Sequence, residues 1–361
     1  MRKLKVMMRP TRDCNLRCNY CSIGESKKEN MDSAIAITAA KKIAEGFPGR
    51  LINFTWGGGE PLLAGIDFYQ NILDAQDQLG VGVNVENMIQ TNGTLINDKW
   101  AKFFKKNNFR IGISLDGPKE VNDKNRIFPN GRGTYEAIQK GRQVLKKNDV
   151  RHTLLGIVNR KNRSALNESL EYMINQNRPF KLYIATPIGR SETELEDAKS
   201  QEDLFQINSK LFEYWMNTGD KFAGLSLKKY LQSVLTGEPR ECTYLENCQD
   251  HFLGIDHDGS VYPCACFHSD LEEFCYGNIL TDSLQEILSH PQRTKLAQRS
   301  KVIEEDCSND CDHFSICYGG CPLKAYLANG DVNSKDYNCT QYQKLFSHIK
   351  NSVLDESNIE H

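Results

Sequence analysis

Residues 4–21 read LKVMMRPTRDCNLRCNYC, a short apolar run followed at once by three cysteines. The run at 4–8 has the length and character of a buried strand. Cys14, Cys18 and Cys21 then fall on the loop that leaves it. Three thiolates on one short loop hold three irons of a 4Fe–4S cluster and leave the fourth iron open. An open coordination site marks a catalytic centre rather than a structural one. A zinc site asks for a fourth protein ligand nearby, and the closest histidine in sequence, His152, is remote.

Downstream, the strand–loop unit repeats. Strand-like runs recur at 51–56, 84–90, 110–115, 153–158 and 181–186. Amphipathic helical stretches lie between them at 32–45, 67–78, 97–107, 135–147 and 165–177, with Asp32, Asn97 and Thr134 at N-cap positions. Alternation of this kind predicts a parallel α/β sheet, most simply an open, partial barrel with its chemistry at the C-terminal strand ends. The expected organisation is a barrel over 1–189, a helical connector over 190–239 (acidic at 191–200, helical at 204–218), a cysteine-rich domain over 240–345, and a tail at 346–361.

The chain has 361 residues and a formal net charge of -2, which gives no reason to expect nucleic acid or an anionic membrane as partner. No apolar run reaches the roughly 20 residues that span a bilayer, and no signal peptide is visible, so a cytoplasmic enzyme is expected. Its 13 cysteines are grouped: three by residue 21, none from 22 to 241, ten from Cys242 to Cys339. In a reducing compartment such grouping points to metal or iron–sulfur ligation rather than disulfides. The C-terminal third has little apolar periodicity, so bound clusters would supply its cross-links.

CxxxCxxC, together with WGGGEPLL after the second strand run, resembles the radical SAM superfamily. That resemblance implies a partial (β/α)6 TIM barrel and a cluster whose open iron chelates S-adenosylmethionine (SAM). An electron delivered to the sulfonium then yields a 5′-deoxyadenosyl radical that abstracts hydrogen. It also implies roles for Gly58 and Gly59 in close approach to the methionyl group, and for Glu60 as acceptor for its ammonium. Asn92 and Thr94 of QTNGT face the same rim, Ser114 of SLDGP resembles the residue on the ribose or carboxylate, and Arg126 one that binds the carboxylate. Tyr20 resembles the aromatic beside the adenine, with Ile184 and Thr186 at the edge of that site.

The second cysteine group resembles the SPASM domain: Cys242 and Cys248, then Gly259 and Cys264 at GxxxxC spacing, then Cys307, Cys311, Cys317 and Cys321, and finally Cys339. One spacing departs, with three residues between Cys307 and Cys311 where two are usual. The resemblance implies two auxiliary 4Fe–4S clusters, one on Cys242, Cys248, Cys264 and Cys321, the other on Cys307, Cys311, Cys317 and Cys339. Cys266 and Cys275 are left over and read as small buried hydrophobes; a zinc-ribbon reading of the set stays open.

Such enzymes mostly modify peptides, so a precursor peptide and a reducing donor such as flavodoxin or ferredoxin are the expected partners. Anaerobic sulfatase-maturating enzymes are a close comparison, but they carry an aspartate base where this chain has Ala265. That contrast favours a peptide maturase forming a cyclophane-type cross-link over formylglycine or thioether formation. Candidate bases are Asp116 and His268, with Asp256 and Asp270 behind them; His257 reads as a local hydrogen-bonding residue. The non-enzymatic alternative, an iron–sulfur electron carrier, leaves the GGEP stretch, Ser114 and Arg126 unexplained.

Overall fold

A computed structural model describes residues 3–80, 83–194, 202–219, 224–309 and 311–357. All six expected strands form: β1 (Lys3–Thr11), β2 (Leu51–Gly58), β3 (Asn84–Thr91), β4 (Arg110–Ser114), β5 (His152–Val158) and β6 (Phe180–Ile184). Each pairs in parallel with its predecessor. Parallel pairing needs long crossovers. These carry α1 (Ser33–Gly46), α2 (Ile66–Gln76), α3 (Asp98–Lys106), α4 (Lys119–Asn125), α5 (Tyr135–Lys147) and α6 (Leu166–Asn175). The seven-residue α4 was not expected, being too short and polar to show a period.

Asp32 and Asn97 cap α1 and α3, accepting from the N–H groups of Ala34 and Trp100 at 2.8 and 3.1 Å. Thr134 precedes α5 without capping it; its hydroxyl donates to the Arg126 carbonyl instead. Along β1, Leu4, Val6 and Met8 are buried, while Lys3, Lys5 and Met7 on the other face are accessible. Behind β2, Trp56 meets Phe68 and Tyr69 edge-on, and Tyr69 meets Trp100 in the same way. Each such pair adds about 0.5–1.5 kcal/mol beyond its buried area, which fastens α2 and α3 to the sheet.

The cysteine-rich part adds two strands, β7 (Phe252–Ile255) and β8 (Val261–Tyr262). β7 lies parallel to β1, from Lys5↔Phe252 to Met8↔Ile255, and β8 lies antiparallel to β7. The sheet order is therefore β6-β5-β4-β3-β2-β1-β7-β8, an unclosed barrel with a gap between β6 and β8. Arg9 clamps this seam. Its buried guanidinium pairs with Asp256 and donates to the Ala265 and Phe267 carbonyls at 2.7 and 2.6 Å.

Helices Asp203–Thr218 and Gly224–Thr236 occupy the expected connector and pack on the helix Cys339–Ser357. The acidic connector from 195 to 201 lies outside the described residues. Past 345 the chain is not a tail as far as 357. Tyr342, Leu345, Phe346 and Ile349 are buried along one stripe of the last helix, at the spacing of an apolar helical face. Among the described residues no helix is long and apolar enough to cross a membrane.

Candidate functional site

The loop after β1 is held from several sides before any cofactor is considered. The N–H of Cys14 donates to Asp13 Oδ1 and Ser26 Oγ, each at 2.9 Å. Arg17 and Asn19 donate from their backbones to Ile127 and Asn125. The segment after β6 closes the far side: Arg190 donates to the carbonyls of Cys21 (backbone) and Cys18 (side chain), each at 3.0 Å. At Gly189, in a left-handed conformation, a Cβ would stand 2.5 Å from the Cys21 oxygen. Neither latch residue was singled out from sequence, because 170 residues separate them from the cysteines they hold.

The glycines of WGGGEPLL serve this loop as well. A Cβ on Gly59 would stand 2.1 Å from the Asp13 carbonyl oxygen, and one on Gly58, at φ 109°, would crowd Arg9 and Thr11. Both glycines therefore let the strand end pack closely on the chain's own cluster loop. Glu60 lies beside them. Its carboxylate is buried and accepts from Thr91 Oγ1 at 2.6 Å, from Asn92 N–H at 2.8 Å and from Leu62 N–H at 3.1 Å. These internal donors tie the end of β2 to the end of β3 and fill three of the roughly four acceptor positions of a carboxylate. Asn92 is likewise buried, bonding Asn15 at 2.8 Å and accepting from Thr94, which braces the rim.

Burial pushes the Glu60 pKa up from 4.5 to about 7, outweighing the three donors that lower it. The folded state therefore holds the proton more tightly than the unfolded chain does. Stability is expected to fall as pH rises from about 4.5 to about 7. In Glu60→Gln this slope should flatten in thermal melts run across that window. The variant should also lose about 1–3 kcal/mol, because its amide sets a donor against an N–H.

Tyr20, Asp116 and Arg126 form a buried trio beside Cys18. The tyrosine hydroxyl donates to Asp116 at 2.5 Å, Arg126 Nε donates to Asp116 at 3.0 Å, and the guanidinium covers the Tyr20 ring at 5.3 Å. Ile157 N–H adds a further bond to Asp116. Burial opposes the charge on Arg126, but Asp116 and its neighbours more than offset this and raise its pKa. Asp116 is thus ion-paired and hydrogen-bonded, and one face of the Tyr20 ring is covered by the Arg126 guanidinium. Ser114, which accepts from Gln90 at 3.0 Å, and Ile184, at the end of β6, remain partly accessible. Thr186 follows in the loop, also partly accessible.

Of the other candidate bases, Asp256 is taken by Arg9 and by Ser269 N–H, and Asp270 pairs with Arg12 at 3.1 Å. His257 lies 3.6 Å from Glu29. His268 is buried with no partner for Nε2. Burial and then Arg9 lower its pKa, so the ring is neutral near pH 7.

The remaining thiols gather as two sets. Cys307, Cys311, Cys317 and Cys339 line one recess together with Phe314, Tyr342 and Phe346. Beside it, Arg299 is buried and donates to the carbonyls of Tyr318, Gly319, Gly320, Val332 and Ser334. Of the three residues between Cys307 and Cys311, 310 lies outside the described residues. Cys242, Cys248, Cys264 and Cys321 form the other set, each within electrostatic reach of another cysteine of that group. Glu241 pairs with Lys181 of β6 at 3.8 Å, so this set lies along the open side of the barrel. Among the described residues no three His, Cys, Asp or Glu side chains converge on one point as a single ion requires. Thiolates on different irons of a cluster stand further apart, so these sets fit clusters better than zinc.

The Radical SAM superfamily model matches residues 8–173, and the SPASM model, an iron–sulfur cluster-binding domain, matches 242–312. A cysteine-type anaerobic sulfatase-maturating enzyme of Clostridium novyi is 31% identical over 334 residues, covering 89% of this chain and 88% of that protein. The chain belongs to the radical SAM superfamily. The cysteine-type sulfatase-maturating enzyme of Clostridium perfringens is 26% identical over 372 residues, covering 99% of each chain. The solved structure of native anSMEcpe with bound AdoMet and a Cp18Cys peptide superposes with a TM-score of 0.85 at 25% identity, covering 99% of this chain and all of the other. This radical SAM protein is thus an enzyme with a SPASM domain, and its cofactors are SAM and three 4Fe–4S clusters.

Proposed function

We propose that this radical SAM enzyme is a maturase that oxidises the Cβ of a cysteine or serine, within a peptide or sulfatase substrate, to formylglycine. Its likeness to sulfatase-maturating enzymes from end to end, at 31% identity to one of them, is the observation that carries this reading. In it, Cys14, Cys18 and Cys21 hold the SAM cluster, with Ser114 and Ile184 facing the ligand. Bound there, SAM supplies the radical that takes a hydrogen atom from the substrate Cβ. The Tyr20–Asp116–Arg126 trio holds α4 and the cluster loop together, and Arg190 closes the loop from β6. A proton must also leave the substrate, and His268 is the candidate base that keeps an uncommitted ring nitrogen. The auxiliary clusters would accept the remaining electron, and a flavodoxin- or ferredoxin-like donor would supply the starting one.

Ala265 favours a second reading. It stands where the sulfatase-maturating enzymes usually carry an acidic base, and it takes no proton. A maturase forming a cyclophane-type cross-link would draw its base from elsewhere. The two are separated by product. The reconstituted enzyme is given SAM, a low-potential reductant, and either a cysteine-containing sulfatase peptide or its serine counterpart. Formylglycine is an aldehyde that a hydrazide captures, and from cysteine it releases sulfide. A product lighter by two hydrogens that no hydrazide captures replaces this reading with the cross-link.

A further inference from the structure

Eight thiols make up the two C-terminal sets; outside them Cys275 is partly buried, and Cys266 is exposed rather than the buried hydrophobe expected. The sets are joined most directly by the turn from Cys317 to Cys321, which gives one thiol to each. Within it Tyr318, Gly319 and Gly320 all have positive φ, at 47°, 74° and 79°. This run of left-handed residues turns three successive carbonyls toward Arg299. Nη1 of Arg299 donates to Tyr318 and Gly320 and Nη2 to Gly319, each at 2.9 Å. Nη2 also donates to Ser334 at 2.7 Å, and Nε to Val332. All five N–H groups of the guanidinium are thereby used on backbone carbonyls, and none is left for a carboxylate. Asp336 holds the same turn from another side. Its carboxylate accepts from Cys321 N–H at 2.9 Å, and from Asn338 N–H and the Tyr342 hydroxyl, each at 2.8 Å. Arg299 is 4% exposed and Asp336 1%, so both charges are enclosed with neutral partners.

We propose that Arg299 is a positioning residue for electron transfer: it holds the turn that joins the auxiliary clusters, and its buried charge raises their potential. A thiolate-ligated 4Fe–4S cluster is anionic and becomes more so on reduction, so a cation nearby favours the reduced form. The guanidinium stays protonated, and a charge enclosed by protein is poorly screened by salt. A buried cation without a bonded carboxylate is costly to the fold, and negative clusters on both sides of the turn offset that cost. Gly319, whose carbonyl Arg299 holds, lines the recess of Cys307, Cys311, Cys317 and Cys339, so the guanidinium lies directly behind one wall of that site. The electron left by substrate oxidation then enters a cluster whose hold on it this cation strengthens. The inference rests on the two sets holding clusters.

The test uses the full-length Cys18→Ala protein, in which the auxiliary clusters alone give an EPR signal on reduction. After anaerobic reconstitution with iron and sulfide it should hold about eight irons, and its midpoint potentials are read by EPR-monitored redox titration. Adding Arg299→Gln should leave the iron content unchanged and move at least one potential to a more negative value. Arg299→Lys keeps the charge and should keep both potentials near their original values. Unmoved potentials in a fully loaded Arg299→Gln chain overturn the proposal, as does an equal shift in Arg299→Lys. If the Arg299→Gln chain does not hold iron, Asp336→Asn decides, since it removes the anion on the other side of the turn. A potential should then move to a more positive value, and no movement overturns the proposal. Iron well short of the expected content in the Cys18→Ala parent overturns the auxiliary-cluster assignment instead.

Discussion

In the Cys18→Ala protein, reductive cleavage of SAM is expected to fall below detection while the auxiliary clusters stay in place. Cys18 is the middle thiol of the loop, enclosed beside Arg126 and Asp116, and burial pushes its pKa up to about 11. Such a thiol gives up its proton readily only to a metal, and no other cysteine reaches the loop to replace it. Iron should drop from about 12 to about eight per chain, since one four-iron cluster of three is lost. Anaerobic incubation with SAM and reductant, followed by chromatography for 5′-deoxyadenosine, checks the first part. Colorimetric iron checks the second. Cleavage that persists, or iron that falls toward zero, would contradict the assignment of the three N-terminal thiolates.

Arg9→Leu should be the most destabilising single change outside the clusters. The guanidinium is buried against an equally buried Asp256 and also serves two carbonyls of the segment that follows Cys264. Removing the cation leaves a carboxylate enclosed without a counter-charge, which costs about 3–5 kcal/mol. Urea unfolding should show that loss. Adding Asp256→Asn should recover part of it, because the orphaned charge then disappears.

The six barrel strands were legible because each is an apolar run bounded by turn residues, and the helices between them repeat their apolar positions every three or four residues. β7 and β8 were not. At four and two residues they are too short to show a period, and the pairing of β7 with β1 spans nearly 250 residues. The three thiols after β1 stood out by their spacing, since ligands on one loop must be close in sequence, whereas the two C-terminal sets were implied only by resemblance. The internal hydrogen bonds of Glu60, Tyr20 and Asp116 were hidden. Motif position says which rim a residue occupies, but only packing reveals whether its oxygens are already filled.

The parallel pairing of β7 with β1 bears on how this chain can be divided. A cut in the stretch between β6 and β7 would strip the flank from the opening strand and bare a row of amide and carbonyl groups. The released C-terminal piece would expose the matching row on β7. Each is the kind of raw margin that recruits copies of itself into aggregates. Barrel and cluster module are, in this respect, one woven piece, and half of it is not a smaller enzyme.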